Sequence, residues 1–382
     1  MAFKNSVKQI ILLGLSVFMW LGCRKDPQME KFTIDEPDVP VVPTLPDEPY
    51  DYESIIYPDY FLDDPLLNLL NTLDGGNQVT NEGATLGRVL FYDKNLSVNN
   101  SISCASCHHQ ENGFADPDQF NIGFGGEFGE RNAMTILNIN FQRRFFWDNR
   151  ANSIEEQVLM PIEHPIEMGM NLDSLVPKIQ DLVYYDSLFV DAFGDDLVTI
   201  SRLSKALAQF LKSIRSFESK YDRGLTTDFA DFTEIELAGK DLFFSGEHSC
   251  VNCHMTPNFG GVGSHINGLE EVYEDPGVGG ITEAPEDYGK FKTVTLRNIE
   301  LTAPYMHDGR FETLEDVLDF YSTEIKAHAY LDDHLATDFH TGGPPKDLNL
   351  TSEQKAGYIA FLKTLTDWNL IYNPIYSNPF PE

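Results

Sequence analysis

Apolar side chains recur three or four positions apart along most of the chain beyond residue 60. The longest series is Ile200, Leu203, Leu207, Phe210, Leu211, Ile214 and Phe217. This spacing places apolar side chains on one face of an α-helix, whereas the two-residue alternation typical of strands is sparse. The pattern therefore predicts a mainly α fold with few strands.

Capping patterns and loop-forming stretches divide the chain into segments. A capping box, Ser or Thr followed three residues later by Glu or Gln, marks a helix N-terminus. It occurs at Ser153 with Glu156, Thr233 with Glu236, and Thr351 with Gln354. Residues 117–130 and 255–290 are rich in Gly or Pro and are predicted to be loops. These signals predict two helical domains, at residues 59–225 and 226–370, followed by a tail at 371–382.

The N-terminus has the pattern of an export signal. Lys4 and Lys8 precede an apolar run at residues 10–21, which is too short for a comfortable membrane span. The run ends before Cys23 and resembles a lipoprotein signal at residues 1–22, although Trp20 departs from the usual small aliphatic residue. Ordinary cleavage and an uncleaved anchor are the alternatives. Residues 23–58 are rich in Pro and acids and are predicted to form a tether. We therefore expect a lipid anchor at Cys23 on the periplasmic side of the cell envelope.

Charge narrows the range of partners. The formal net charge is −33, and both nucleic acids and anionic membrane surfaces repel an acidic protein. Nucleic-acid binding is therefore excluded, while an acidic surface remains compatible with a basic electron-donor protein or with simple solubility.

The cysteines carry the strongest chemical signal in the chain. Cys-x-x-Cys-His, the attachment signature of c-type haem, occurs twice. The two copies are Cys104 and Cys107 with His108, and Cys250 and Cys253 with His254. The fifth cysteine is Cys23, so no thiol is left for a disulfide. A zinc site is the weaker alternative, because the two pairs lie far apart and each is followed directly by His. The motifs predict two covalently bound haem c groups, one in each domain, with His108 and His254 as axial iron ligands.

The chain resembles the bacterial dihaem cytochrome c peroxidase family, which includes MauG-type enzymes. The resemblance runs from about residue 60 to residue 367. It rests on the segments at 85–93 and 96–116, on Phe146-Trp147-Asp148-Asn149-Arg150, on 164–169, and on the segment at 295–310. It implies two cytochrome-c-like haem domains in tandem, with peroxide chemistry at haem 1 and electron transfer at haem 2.

The resemblance implies distal residues for haem 1. Glu167 lies twenty residues after Trp147, the spacing at which the family places the catalytic Glu after its inter-haem Trp. Gln157 and Pro161 match further distal positions. One carboxylate can move a proton between the two peroxide oxygens and promote heterolytic cleavage. Taken alone, Glu167 would be read as a solvated loop acid and Trp147 as a core side chain.

The family's reductively activated members carry a loop His that ligates haem 1 at rest. This chain has no His between Gln110 and Glu163. His109 adjoins the proximal ligand, and His164 is close to Glu167 in sequence. We therefore expect haem 1 to be open or water-bound in the ferric enzyme.

Two residues compete to be the sixth ligand of haem 2. Tyr321 falls where classical peroxidases of the family place an axial Met and MauG-type enzymes place an axial Tyr. Met306 is the second candidate, since a thioether also binds haem iron. Tyr321 is preferred, and core packing is the alternative role for either side chain.

Other roles are implied by the resemblance alone. Asn132, Thr302 and Pro304 match positions that hold a structural Ca²⁺, whose preferred ligands are oxygen atoms. Family members also often form homodimers. Four arginines are candidates to pair with haem propionates, namely Arg131, Arg150, Arg297 and Arg310.

Three functions remain open at this point. The leading one is a cytochrome c peroxidase, which reduces H2O2 with electrons from a small cytochrome c or cupredoxin. The second is a MauG-like enzyme that oxidises a partner protein through a high-valent state. The third is a dihaem electron carrier, which Glu167 in its motif disfavours.

Overall fold

Helices predominate among the residues that the structure describes. The structure is a computed structural model and describes residues 41–65, 68, 76–261, 263–338 and 344–381. The α-helices of this part are α1 Asp59–Leu62, α2 Asn81–Tyr92, α3 Ile154–Gln157, α4 Met160–Glu163, α5 Leu172–Gln180, α6 Tyr184–Phe193, α7 Ile200–Ser213, α8 Lys220–Thr227, α9 Glu234–Phe244, α10 Cys250–Cys253, α11 Gly279–Thr282, α12 Leu314–Asp319, α13 Ser352–Lys363 and α14 Trp368–Ile371. Strands β1 Ser264–His265 and β2 Phe291–Lys292 pair antiparallel. The predicted mainly α fold with few strands is confirmed.

Short helical turns complete the secondary structure. The 3-10 turns are Lys94–Leu96, Cys104–Ser106, Gln110–Asn112, Ile139–Phe141, Pro285–Asp287, Ile299–Leu301, Asp333–Leu335 and Pro374–Tyr376. A π-helical turn, Phe320–Glu324, follows α12 directly. The backbone therefore changes from α to π geometry at Phe320, just before Tyr321.

Two closely packed helix pairs form the centres of the two halves of the chain. In the first, α2 packs along α7, and a Cβ on Gly87 would lie 2.0 Å from the carbonyl oxygen of Ala206. In the second, α9 packs along α13, and a Cβ on Gly239 would lie 1.8 Å from the carbonyl oxygen of Gly357. Any side chain at either glycine would push its helix pair apart, because neither partner backbone can move without disturbing a close-packed core.

Each helix pair lies in its own hydrophobic cluster, but the clusters do not follow the predicted boundaries. Helix α8 spans the predicted boundary at 225, and its Tyr221 packs into the second cluster. Ile371 and Tyr376, from the predicted tail, pack into the first cluster, where the carbonyl oxygen of Tyr376 also accepts a 2.7 Å hydrogen bond from the hydroxyl of Tyr92. The end of the chain thus stabilises the first half, and the division into two haem domains stays a prediction.

The folded part also begins earlier than the predicted end of the tether at residue 58. Tyr52 is fully buried and donates from its hydroxyl to the Ile375 carbonyl oxygen at 2.6 Å. Tyr57 is buried as well and packs against Phe141. The predicted signal at residues 1–22 and the lipid site at Cys23 lie outside the described residues. Within the described part, no helix is both long and apolar enough to cross a membrane.

The same series of backbone conformations, a backbone frame, occurs in both halves of the chain. Corresponding residues are always as far apart in sequence as Asn138 and Asn298. Asn138 and Asn298 both adopt left-handed backbone, with φ of 51° and 59°. Phe146 and Met306, separated by the same offset, do so as well, with φ of 68° and 75°. Asp-x-Arg follows at 148–150 and at 308–310, and this recurrence is the sequence signal from which the repeat could have been found. Residues separated by this offset are called equivalent below.

The two copies of this frame contact each other reciprocally. The backbone N–H of Asn132 donates to the carbonyl oxygen of His307 at 2.8 Å. The N–H of Lys292, the equivalent of Asn132, donates to the carbonyl oxygen of Trp147 at 2.9 Å. Trp147 and His307 are themselves equivalent, so the repeat places this pair of residues at the contact between the halves.

Candidate functional site

The first Cys-x-x-Cys-His motif lines a cavity. Cys104, Cys107 and His108 all border this cavity, whose volume is about 390 Å³. Nδ1 of His108 lies 2.9 Å from the carbonyl oxygen of Phe114, so with Nδ1 as donor the other ring nitrogen is left as a metal ligand. Burial lowers the pKa of His108, which favours the neutral imidazole that binds iron.

The two thiols of this motif are half-buried and are not joined in a disulfide. Burial raises the pKa of Cys104 and of Cys107 to about 12. Two thiols three residues apart, followed directly by an axial His, match the two thioethers and the iron ligand of a haem c group. The residues present therefore fit a haem c group.

The predicted distal residues Gln157, Pro161 and Glu167 line the same cavity as His108. The predicted inter-haem tryptophan, Trp147, lines it as well. The Gly-rich loop at 117–130 holds the Glu167 segment in place, since Phe124 N–H donates to the Glu167 carbonyl oxygen at 3.0 Å. A Cβ on Gly123 would lie 1.6 Å from the carbonyl oxygen of Ile166, so only glycine permits this approach.

The distal side contains a carboxyl group with a shifted pKa, Glu167, and an amide oxygen without a hydrogen-bond partner, that of Gln157. Burial raises the pKa of Glu167, and the nearby charges of His164 and Arg150 act in the opposite direction. Nδ1 of His164 lies 3.6 Å from Oε1 of Glu167. Oε1 of Gln157 is buried and has no hydrogen-bond partner, which a bound group in the cavity can supply.

The second motif repeats the arrangement of the first. Helix α10 carries Cys250 and Cys253, and Nδ1 of His254 lies 3.3 Å from the carbonyl oxygen of Phe259. Burial raises the pKa of Cys250 to about 11 and that of Cys253 to about 12. Burial also lowers the pKa of His254 to about 4, so its imidazole is neutral and able to bind iron. Phe259 has left-handed backbone, as Phe114 does in the first half.

Both candidate ligands for haem 2 contact one residue that the sequence analysis missed. Asn267 donates from Nδ2 to the sulfur of Met306 at 3.7 Å. Burial raises the pKa of Tyr321 well above its usual range, and a hydrogen bond from Asn267 opposes this shift. The charges of Cys253 and Cys250 also act on Tyr321, so its hydroxyl lies near the second motif. No motif marks Asn267, which lies inside the predicted loop at 255–290.

The repeat relates Tyr321 to a residue of the first cavity. Tyr321 is equivalent to Pro161, which lines that cavity on the distal side. Met306 is equivalent to Phe146, which also lines it. Tyr321 belongs to the π-helical turn, a distortion that often occurs at functional sites.

An aromatic contact connects the two halves between the motifs. The rings of Trp147 and His307 lie edge to face, with centroids 6.4 Å apart. His307 in turn stacks on Phe291 at 3.6 Å. The indole N–H of Trp147 donates to the carbonyl oxygen of Asn132 at 2.8 Å. Burial lowers the pKa of His307 to about 4, which keeps this ring neutral.

The remaining predicted residues have other visible partners. The amide of Asn132 donates to the carbonyl oxygen of Asp118 at 3.0 Å, and the Thr302 hydroxyl donates to that of Ile299 at 3.4 Å. The peptide bond before Pro304 is cis. None of these contacts tests the Ca²⁺ site, which stays a prediction.

One of the four arginines forms a buried ion pair. Arg297 is fully buried and forms a bidentate ion pair with Asp222 at 2.8 and 2.9 Å. Two further N–H groups, on Nε and Nη2, donate to the carbonyl oxygen of Pro257. The propionate contacts of the four arginines stay a prediction. Arg150 and Arg131 do line the first cavity, where both bind Asp148.

One group of metal-ligand type occurs among the described residues. Ligand atoms of Cys253, His265 and Asp332 lie within 4.8 Å of one another. His265 and Asp332 form an ion pair at 2.5 Å. Because Cys253 belongs to the second motif, this pair is a polar neighbour of that motif.

Similarity to known proteins agrees with this geometry. The sequence pattern of the di-haem cytochrome c peroxidase family matches residues 81–229. The cytochrome c551 peroxidase of Nitrosomonas europaea is 34% identical over 307 residues, which cover 78% of this chain and 85% of that protein. The methylamine utilization protein MauG of Methylophilus methylotrophus is 31% identical over 290 residues, which cover 76% of this chain and 84% of that protein.

Solved structures of a MauG-like protein and of a diheme peroxidase are also similar to this chain. A MauG-like protein associated with microbial copper homeostasis superposes with a TM-score of 0.68 at 31% identity, over 91% of this chain and 99% of that one. The diheme peroxidase BthA of Burkholderia thailandensis gives a TM-score of 0.66 at 23% identity, over 79% of this chain and 90% of that one, and supports the fold alone.

The fold and the two motifs define a helical oxidoreductase of the c-type haem class. More specifically, the chain belongs to the di-haem cytochrome c peroxidase family. Membership implies two haem c cofactors, as the motifs predict.

Proposed function

We propose that the chain reduces hydrogen peroxide to water with two electrons from an external protein donor, a small cytochrome c or cupredoxin. The observation that carries this proposal is the shared cavity, in which Glu167 and Gln157 lie with the first haem-attachment motif. A haem bound there through Cys104, Cys107 and His108 supplies the iron at which peroxide accepts electrons.

The side chains of the cavity supply the proton chemistry. The raised pKa of Glu167 brings its carboxyl group closer to the range where it both accepts and donates a proton. In the proposed reaction, Glu167 takes the proton from one peroxide oxygen and returns it to the oxygen that leaves as water. The unsatisfied Oε1 of Gln157 accepts a hydrogen bond from the substrate and orients it.

The second motif serves electron entry in this proposal. Cys250, Cys253 and His254 would hold the second haem, and Tyr321 would be its preferred sixth ligand. Pro161, the equivalent of Tyr321, has no side-chain atom that could bind iron. A ligand at position 321 would therefore close the second site while the first site stays open, which supports this choice. Trp147 and His307 lie in contact between the halves and provide an aromatic connection for the electrons.

A MauG-like oxidation of a partner protein is the second candidate. A half-buried tyrosine beside the second motif favours it, since a phenolate ligand stabilises oxidised iron. The relatives named MauG and the MauG-like structure are consistent with it. A dihaem electron carrier is disfavoured, because such a protein has no use for a carboxyl group above an accessible site.

Replacement of Glu167 by Gln tests the proposed function. We expect Glu167→Gln to reduce peroxide turnover with a reduced small cytochrome by about 10²- to 10⁴-fold, since it removes a general acid–base group. Glu163→Gln, at an exposed position four residues earlier, is the matched control and should keep full turnover. Equal turnover of both variants would contradict the proposal. Peroxide consumption without donor turnover in the wild type would favour the MauG-like alternative.

The cellular setting is also a proposal. The signal at residues 1–22 and Cys23 support export and lipid attachment on the periplasmic side of the envelope. Fatty-acid labelling of the wild type, absent from Cys23→Ser, would support the anchor. A bound Ca²⁺ at Asn132, Thr302 and Pro304 can be tested by metal analysis of the purified protein, and a homodimer by sedimentation.

A further inference from the structure

A second titratable side chain lies on the distal side of the first cavity. His164 lines the cavity directly after α4, and its carbonyl oxygen accepts a 2.9 Å hydrogen bond from Gly169 N–H. Gly169 has left-handed backbone, with φ of 61°, which closes the chain into a tight loop. The loop contains Glu167, so the same short segment presents both side chains.

The contact between these two side chains is polar and incomplete. Nδ1 of His164 lies 3.6 Å from Oε1 of Glu167, slightly beyond hydrogen-bond distance. This Nδ1 atom is buried and has no hydrogen-bond partner. A buried polar nitrogen without a partner is costly, so a small rotation that completes a bond to the carboxylate is favoured.

The exposure of the two side chains gives them different access to water. The His164 side chain is 43% exposed, whereas that of Glu167 is 28% exposed. The other cation near the carboxyl group is Arg150, which is bound to Asp148 and lies 3.5 Å above the Phe146 ring. Because arginine does not release its proton, His164 is the one of the two that can exchange protons.

We propose that His164 passes solvent protons to Glu167 during turnover, an inference that rests on the proposed function. Reduction of one H2O2 to two H2O consumes two electrons and two protons. The donor supplies the electrons, whereas a proton that Glu167 moves from one peroxide oxygen to the other adds none. In the relay, protonated His164 gives its Nδ1 proton to the Glu167 carboxylate, and solvent water returns a proton to the ring.

His164→Asn tests the relay in the full-length holoenzyme. We expect turnover to fall by about 10²-fold and to recover when 2,6-lutidine is added, because this hindered base replaces the missing ring but binds haem iron poorly. The matched control is His328→Asn, at a histidine that contacts Tyr273 and Tyr330 outside the first cavity, and it should keep full turnover. A loss that 2,6-lutidine does not restore would overturn the relay, since it would indicate a purely structural role.

A second measurement does not depend on turnover. The infrared carboxyl band of Glu167, assigned by difference from Glu167→Gln, should titrate at higher pH in His164→Asn, because the positive neighbour that lowers its pKa is lost. An unchanged titration would overturn the inference even if turnover falls. If the wild type does not reduce peroxide, the proposed function fails, while this titration still shows whether His164 controls the charge of Glu167.

Discussion

The two Cys-x-x-Cys-His regions are alike on one side and different on the other. In both, the His of the motif binds the carbonyl oxygen of a buried Phe with left-handed backbone, Phe114 or Phe259. On the other side, the first half has Pro161 where the second half has Tyr321. The first half also places Glu167 there, and its equivalent in the second half is Ala327.

This difference indicates which residues control haem attachment and which control access of a substrate. The repeated motif and its Phe determine how a haem is held, and they do so in the same way twice. The single side chain that faces the iron from the opposite direction determines whether a substrate can reach it. In the proposed function, a duplicated frame combines one open site and one closed site through very few substitutions.

Removal of either motif should produce the largest effect on haem content and peroxide turnover, and it should show most clearly how the two sites differ. We expect the double variant Cys104→Ala/Cys107→Ala to lose one covalent haem and all peroxide turnover. Cys250→Ala/Cys253→Ala should also lose one haem and donor-driven turnover, yet its first cavity should still react with peroxide. Haem counts by pyridine haemochrome and stopped-flow mixing with peroxide measure both. The account would be wrong if the two double variants behaved identically.

The exchange Pro161→Tyr should make the first site resemble the second. A hydroxyl at this position is expected to compete with peroxide for the iron and to lower turnover by about tenfold or more. Electron paramagnetic resonance should show a new low-spin signal from haem 1. Pro161→Phe is the control, because it adds the same ring without a ligating oxygen. An effect of equal size in both variants would indicate crowding instead of ligation.

The two halves should differ in how the equivalent positions 137 and 297 contribute to the free energy of unfolding. Leu137 is buried in the first half, whereas Arg297 at the equivalent position pairs with Asp222. Asp222→Asn should destabilise the holoprotein by about 3–5 kcal/mol, because it leaves the Arg297 charge buried without its partner. Urea unfolding measures the change, and Leu137→Ala, at about 2–5 kcal/mol, is the apolar counterpart. No loss in Asp222→Asn would show that the pair contributes nothing.

The same pair predicts a pH dependence. Burial alone would raise the pKa of Asp222, but Arg297, together with hydrogen bonds from Ser219 and Tyr60, holds it below its usual value. A lowered carboxyl pKa adds stability above the ordinary Asp value of about 4, and this stability is lost as pH falls through the lowered pKa. The advantage of the wild type over Asp222→Asn should therefore shrink below about pH 4.

Removal of a helix cap should give the smallest change in the free energy of unfolding, and the change should be equal in both halves. Ser153 accepts from Glu156 N–H at 3.1 Å, and the equivalent Thr313 accepts from Asp316 N–H at 3.1 Å. Loss of either cap in Ser153→Ala or Thr313→Ala should cost about 1 kcal/mol in urea unfolding. A difference of several kcal/mol between them would contradict the equivalence of the two frames.

The sequence predicted what depends on short, local patterns. Helical spacing indicated the fold class, and the structure places Trp147, Gln157 and Glu167 around the first motif as the family resemblance implied. Long-range packing was not predictable in this way. Tyr52 and Tyr376 lie in the predicted tether and tail, but each fills a core position that only the folded chain creates.

Two further features required three-dimensional contacts. Asn267 carries no motif, and its importance appears only when Met306 and Tyr321 are seen beside it. Arg297 was a candidate to pair with a haem propionate, and no sequence pattern indicated its ion pair with Asp222, which is 75 residues away. The internal repeat was readable in the Asp-x-Arg recurrence, although its reciprocal hydrogen bonds were not.

The most direct test of the central claim is electron paramagnetic resonance of the resting ferric enzyme, compared with Tyr321→Phe and Met306→Leu. We expect a high-spin signal from haem 1 and a low-spin signal from haem 2 in the wild type. Tyr321→Phe should change only the haem 2 signal, and Met306→Leu should leave both signals in place. Two low-spin haems in the wild type, or a haem 2 signal that is unaffected by Tyr321→Phe, would contradict the account.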